Sequence, residues 1–247
     1  MILNHLATAI KRQDWFVVVL EIFIVVIGIY IGLQVDDWQK QRQDRVDEGE
    51  FYIQLHEDLM LAQLRASRLL KRRLDLVKEL GSSTDVLFGR SDRNELTEVE
   101  CAAIGNSRFL NIVIADFPSL TALLSSGRLG IIQDVNLRTS VVTLQQLADA
   151  IKTMIPFNTA TRTDLPYEFP ELITATAYFD VELGEYQESY ECDLEGMRQN
   201  RGFLNGVSVN LDGYDAYLRD GLIPWNDQFN KVHDMVDTKL SLTHEGE

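Results

Sequence analysis

At 247 residues, with 38 acidic against 23 basic side chains and a formal charge of −15, the chain has room for a membrane anchor and one domain with a real core. A pI near 4.7 makes the surface repel phosphate backbones, which argues against nucleic acid as a partner. It argues equally against a peripheral protein held to anionic lipid by basic patches.

The first predicted element is a transmembrane helix over residues 14 to 36, after a short cytoplasmic N-terminus of residues 1 to 13. From Trp15 to Val35 nearly every residue is apolar. As a helix rising about 1.5 Å per residue it covers roughly 30 Å, the hydrocarbon thickness of a bilayer. Trp15 and Trp38 stand where interfacial aromatic anchors are expected. A cleaved signal peptide is the competing reading, since Lys11 and Arg12 precede the run. The run is longer than an h-region, however, and LQVDDWQ offers no A-x-A-like cleavage site. A buried soluble helix fits worse, because β-branched residues occupy the whole circumference.

A Lys/Arg count does not decide the orientation, because Lys40, Arg42 and Arg45 follow the span as Lys11 and Arg12 precede it. Position favours the N-terminus inside: Lys11 and Arg12 abut the membrane, whereas the far side opens with Asp36 and Asp37. In a bacterium this makes a single-pass protein of the inner membrane with a periplasmic C-terminal domain.

Glu21 is the anomaly within the span. At helical spacing Glu21, Val25, Gly28, Gly32 and Val35 fall along one stripe, and Gly28 and Gly32 form G-x-x-x-G, which lets two helix backbones approach closely. Three readings follow. A helix–helix packing face is favoured, a tolerated carboxylate near the interface comes next, and proton or ion coupling comes last.

Glu21-Ile22, Gly28-Ile29, Ile31, Leu33-Gln34-Val35 and Trp38 also resemble the anchor motif E-I-x-x-I-x-x-G-I-x-I-x-L-Q-x-x-x-W of a family of uncharacterised bacterial single-pass membrane proteins. The likeness runs from about Trp15 to Leu59, and a fainter one covers SLTALLSSGRLGII at residues 119 to 132. Asp36 and Asp37 replace asparagines that are more usual there. The family has no established activity, so the resemblance implies a topology and supplies no catalytic residues.

After Trp38 the sequence becomes polar and then amphipathic. Tyr52, Leu55, Leu59, Ala62, Ala66, Leu69, Leu76 and Leu80 recur at threes and fours, predicting a stalk helix over 37 to 81 that packs into its own domain. A coiled coil fits less well, since the leucines drift from a strict heptad. Gly49 is the expected weak point and Gly81-Ser82-Ser83 the expected stop.

Residues 82 to 247 are predicted to be an extracytoplasmic helical domain, an up-and-down bundle that makes the fold mainly α. Its predicted helices begin with a short one in NELTEVECAAI. A second opens at Pro118 and stops at Gly127, and a third is capped by Asp134 and ends before Pro156. Residues 156 to 196 read as an irregular excursion with one short helix, and the alternative reading places short strands at TAYFDVELGEY and, earlier in the chain, at FLNIVIAD. Helices then resume over FLNGVSVNLDGYDAYLRDGL and after Pro224.

No G-x-G-x-x-G, Walker A, G-x-S-x-G or H-E-x-x-H motif occurs, so neither a catalytic pair nor a cofactor is expected. His56-Glu57-Asp58 and His233 with Asp234 and Asp237 read as solvated polar faces, and no metal is expected at either. Cys101 and Cys192 are expected to form a disulfide if the domain lies in an oxidising compartment, and to stay reduced in a cytosol.

The resulting expectation is a non-enzymatic interaction or scaffold subunit that meets lipid and either a second copy or a larger membrane complex. A ligand-sensing domain signalling through another subunit is the alternative, as is a coupling subunit in which Glu21 carries a proton.

Overall fold

A computed structural model describes residues 15 to 110, 116 to 181 and 184 to 242. The short N-terminal segment with Lys11 and Arg12, and most of the FLNIVIAD strand alternative, lie outside the described residues. The chain divides into two compact units, Met1–Phe51 and Tyr52–Glu247.

Helix α1, Trp15–Leu87, contributes to both units. In the first unit it carries the apolar run, and none of its 18-residue apolar window is buried. Arg42 lies over the Trp38 ring at 5.9 Å, and Arg45 pairs with Glu48 one turn on. In the second unit the predicted stripe turns inward. Tyr52, Leu55, Leu59, Ala62, Ala66 and Leu80 are buried, as intradomain packing requires.

The expected weak point of α1 does not interrupt it, and the expected stop does not end it. The helix passes through Gly49, and it runs beyond Gly81-Ser82-Ser83 to Leu87. The hydroxyls that favour a stop are absorbed by the helix. Ser83 Oγ donates to the Leu80 carbonyl and Thr84 Oγ1 to the Gly81 carbonyl, while Ser82 Oγ donates to Glu100. Buried Val86 and Leu87 then outweigh the local propensity.

Helix α2, Glu98–Gly105, opens on a capping box. Thr97 accepts from the Glu100 amide, and the Glu100 carboxylate accepts from the Thr97 amide. Helix α3, Pro118–Ser125, starts on proline and ends where Gly127 adopts φ +68°. The Arg128 amide reaches the Leu123 carbonyl and the Gly127 amide reaches that of Leu124, a Schellman closure. Gly127→Ala forces a Cβ into the left-handed region, so a loss of about 1 kcal/mol in a denaturant melt is expected. An unchanged midpoint would show that this turn relaxes without cost.

Helix α4, Val135–Thr161, is capped as predicted by Asp134, which accepts from the Asn136 and Leu137 amides. It does not end before Pro156 but carries that proline inside. Pro156 is exposed, so the carbonyl left without its helical donor can be hydrated by water.

The excursion predicted for 156 to 196 is also corrected. After a one-turn helix α5, Leu165–Glu168, strands β1, Ile173–Asp180, and β2, Glu185–Cys192, pair antiparallel from Ile173 opposite Cys192 to Asp180 opposite Glu185. Alternating Thr, Ala, Tyr and Phe favour extended backbone here, and Gly184 supplies the positive φ of the turn. A two-stranded ribbon is marginal alone. This one is secured at its base, where the Tyr190 ring lies so close over Gly105 of α2 that a Cβ there would meet it at 2.6 Å.

Helices α6, Leu194–Gln199, and α7, Arg201–Tyr217, follow the hairpin. A π turn, Leu218–Leu222, then leads directly into α8, Ile223–Leu240. In α7, Asn210 is fully buried and fully engaged: its amide donates to Ser107 Oγ and the Thr163 carbonyl and accepts from the Thr163 amide. Nearby Arg162 lies over the Tyr214 ring at 5.3 Å, and burial lowers its pKa to about 10.

The second unit is a mainly α bundle in which α4 packs on α8 and α2 on β2. One core cluster joins Leu80 and Leu87 of α1, Ile104 of α2, Leu165 of α5, Tyr190 of β2, and Phe203 and Val207 of α7. Around α8, the rings of Phe117 and Trp225 lie 6.0 and 5.6 Å from Phe229.

Candidate functional site

The apolar stripe of α8 determines where its polar groups point. Trp225, Phe229, Val232 and Val236 are buried, and at helical spacing His233 and Asp237 share that inward face. His56 sits on α1 next to Leu55, which is fully buried. His56 Nε2 lies 3.2 Å from Asp237 Oδ1, and His233 Nε2 lies 3.6 Å from Asp237 Oδ2. Each carboxylate oxygen therefore faces one imidazole. The two rings stand 5.6 Å apart at 45°, and the Phe229 ring lies 6.3 Å from His233.

The arrangement overturns the expectation of a solvated polar face. His233 and Asp237 are only 5 and 8 % exposed, and His56 is half-buried. Asp234, one of the expected companions, points to solvent. His56, Glu57 and Asp58 do diverge as adjacent helical residues must: Asp58 leaves the cluster to accept from the Ser119 amide and hydroxyl. Among the described residues, His56, His233 and Asp237 are the group whose donor atoms lie close enough together to hold a metal ion. The i, i+4 spacing of His233 and Asp237 was visible in the sequence. Their third member was not, because only packing of α1 near α8 brings His56 to them.

Phe229 also lines a groove of about 740 Å³ with Met60, Leu64, Leu70 and Leu74 of α1 and Asn226 of α8. Phe229 thus borders both the groove and His233.

Glu21, Val25, Gly28, Gly32 and Val35 lie along one face of α1, all exposed. A Cβ added at Gly28 or Gly32 would meet nothing within 4 Å. Trp15 and Trp38 flank the run, both exposed. Cys101 and Cys192 are joined in a disulfide with their Cα atoms 5.9 Å apart, tying α2 to the end of β2.

Beside the bridge, Glu100 is 1 % exposed. Its carboxylate accepts from Arg93, Ser82 and the Thr97 amide, and these donors hold its pKa down at about 2 despite burial.

Fold and sites together define a mainly α protein with one N-terminal helix long and apolar enough to cross a membrane, continuous in sequence with a disulfide-bridged helical unit. No family model matches the chain, and no curated protein or solved structure matches it either.

Proposed function

We propose that this is a non-enzymatic interaction subunit of the bacterial inner membrane, spanning once with its N-terminus inside and its helical unit in the periplasm. The observation that carries the reading is the apolar run of α1, whose 18-residue window is wholly unburied among the described residues. Such a surface is stable in lipid and unstable in water. The resemblance of the anchor to bacterial single-pass proteins supports the same topology. The bridged cysteines support an oxidising compartment for the second unit.

Within lipid the Glu21, Val25, Gly28, Gly32, Val35 face meets another helix, either a second copy or a subunit of a larger membrane complex. The two glycines permit close backbone approach, and a neighbouring polypeptide relieves the cost of holding Glu21 in hydrocarbon.

Cross-linking of the full chain in native membranes tests this. Gly28→Leu is expected to reduce association roughly fivefold or more while membrane insertion stays intact. Glu21→Gln is expected to insert as wild type does. A Leu variant that still cross-links or co-purifies like wild type removes the packing face, and recovery of the wild-type chain in the soluble fraction removes the anchor.

A further inference from the structure

We infer that His56, His233 and Asp237 form a binding site for a divalent transition metal of the zinc class. The site lies in the second unit and does not depend on the anchor reading. It rests on the identity, spacing and burial of three donors.

Two imidazoles and one carboxylate are a ligand set suited to zinc and its neighbours in the first transition row, and unsuited to calcium or magnesium, which take oxygen ligands. Their donor atoms all lie within 4.8 Å of one another. Zinc bonds of about 2.0 Å at tetrahedral angles put neighbouring donor atoms roughly 3.3 Å apart. Each imidazole is close to that distance from one oxygen of the carboxylate, His56 Nε2 at 3.2 Å from Asp237 Oδ1 and His233 Nε2 at 3.6 Å from Asp237 Oδ2, so a small rotation of the carboxylate brings one oxygen to both.

The three donors also stand on rigid elements. His233 and Asp237 are four apart on α8, and His56 comes from the buried stripe region of α1. Side chains on packed helices lose little further freedom when an ion arrives. The low-dielectric surroundings of the buried Asp237 carboxylate strengthen its attraction for a cation. With three protein ligands, one coordination position stays open for water or an exogenous donor. The ion would join α1 to the C-terminal helix at a place where the described chain has no covalent link.

The same three side chains can also close on one another without an ion, each imidazole facing one carboxylate oxygen, and the experiment separates the two cases. Full-length protein in detergent is stripped with a chelator and titrated with zinc chloride. The melting temperature is followed, and cobalt chloride serves as the spectroscopic probe.

One saturable equivalent is expected, with a higher melting temperature and the intense visible bands of tetrahedral cobalt. His233→Ala and Asp237→Asn are each expected to weaken binding by about tenfold or more. A variant lacking His5 and His244 should bind as wild type does. If His233→Ala fails to fold, His56→Gln carries the same test at a half-buried position, with circular dichroism confirming the helices. Absence of a saturable site in wild type overturns the assignment in favour of the metal-free triad. Wild-type affinity in the His56, His233 or Asp237 variants overturns it as well.

Discussion

Replacement of Cys101 and Cys192 by serine is expected to cost the helical unit about 4 kcal/mol and to lower its melting temperature by about 10 °C or more. The cysteines are 91 residues apart, so the bridge closes a long loop and removes much of the unfolded chain's freedom. It also ties down a ribbon that is mostly exposed. The two-stranded ribbon is exposed on most of its surface and docks mainly through its base, where Tyr190 covers Gly105 and Cys192 is bonded to α2. The check is a thermal melt of the full chain with and without reductant, beside a count of free thiols under denaturing, non-reducing conditions. A melt indifferent to reductant would show that packing alone holds the ribbon. Two free thiols in freshly extracted protein would remove the compartment argument with it.

Glu100→Gln is expected to cost about 2 kcal/mol at neutral pH. The carboxylate accepts from three sources, two of them on segments outside its own helix: Arg93 in the preceding loop and Ser82 on α1. The glutamine keeps the shape but loses the charge that makes these bonds strong. The folded pKa of about 2 lies below the ordinary 4.5, so the contribution is complete above about pH 5 and is lost as pH falls through the folded value. A drop of that size corresponds to about 3 kcal/mol, which solvent screening of the 40 % exposed Arg93 side chain reduces. Urea midpoints at neutral pH and in acid check this. The wild-type advantage over Glu100→Gln should shrink steadily toward pH 2, and an advantage independent of pH would assign the effect to shape instead of charge.

Local rules explain what the sequence revealed. Residues 15 to 35 announce a membrane-length helix by composition, and the leucine spacing from Leu55 to Leu80 predicts a buried stripe because only α periodicity aligns those positions. Asp134 and Pro118 mark helix starts through backbone chemistry that acts within three residues. The errors arise where distant contacts overrule such signals. Gly81-Ser82-Ser83 resembles a stop, yet Val86 and Leu87 are buried beyond it. Pro156 resembles a terminator, but its exposed position makes the missing bond tolerable. Pro166 and Pro170 precede β1 without entering it, and the alternating Thr, Ala and aromatic pattern of Ile173–Asp180 sets the extended backbone. The histidine cluster was the least visible feature, because polar residues on an amphipathic helix give no sign of which ones another helix will cover.

The π turn between α7 and α8 has a consequence for that cluster. The Ile223 amide reaches back five residues to the Leu218 carbonyl, one more than an α-helix spans. Each residue advances a helix by about 100°, so this single extra position sets the angle at which everything downstream faces the bundle. Had the turn closed as ordinary α, the edge bearing His233 and Asp237 would be swung away from His56. The pocket of donors is thus a matter of phase, fixed a full eleven residues upstream by one loosened loop of backbone.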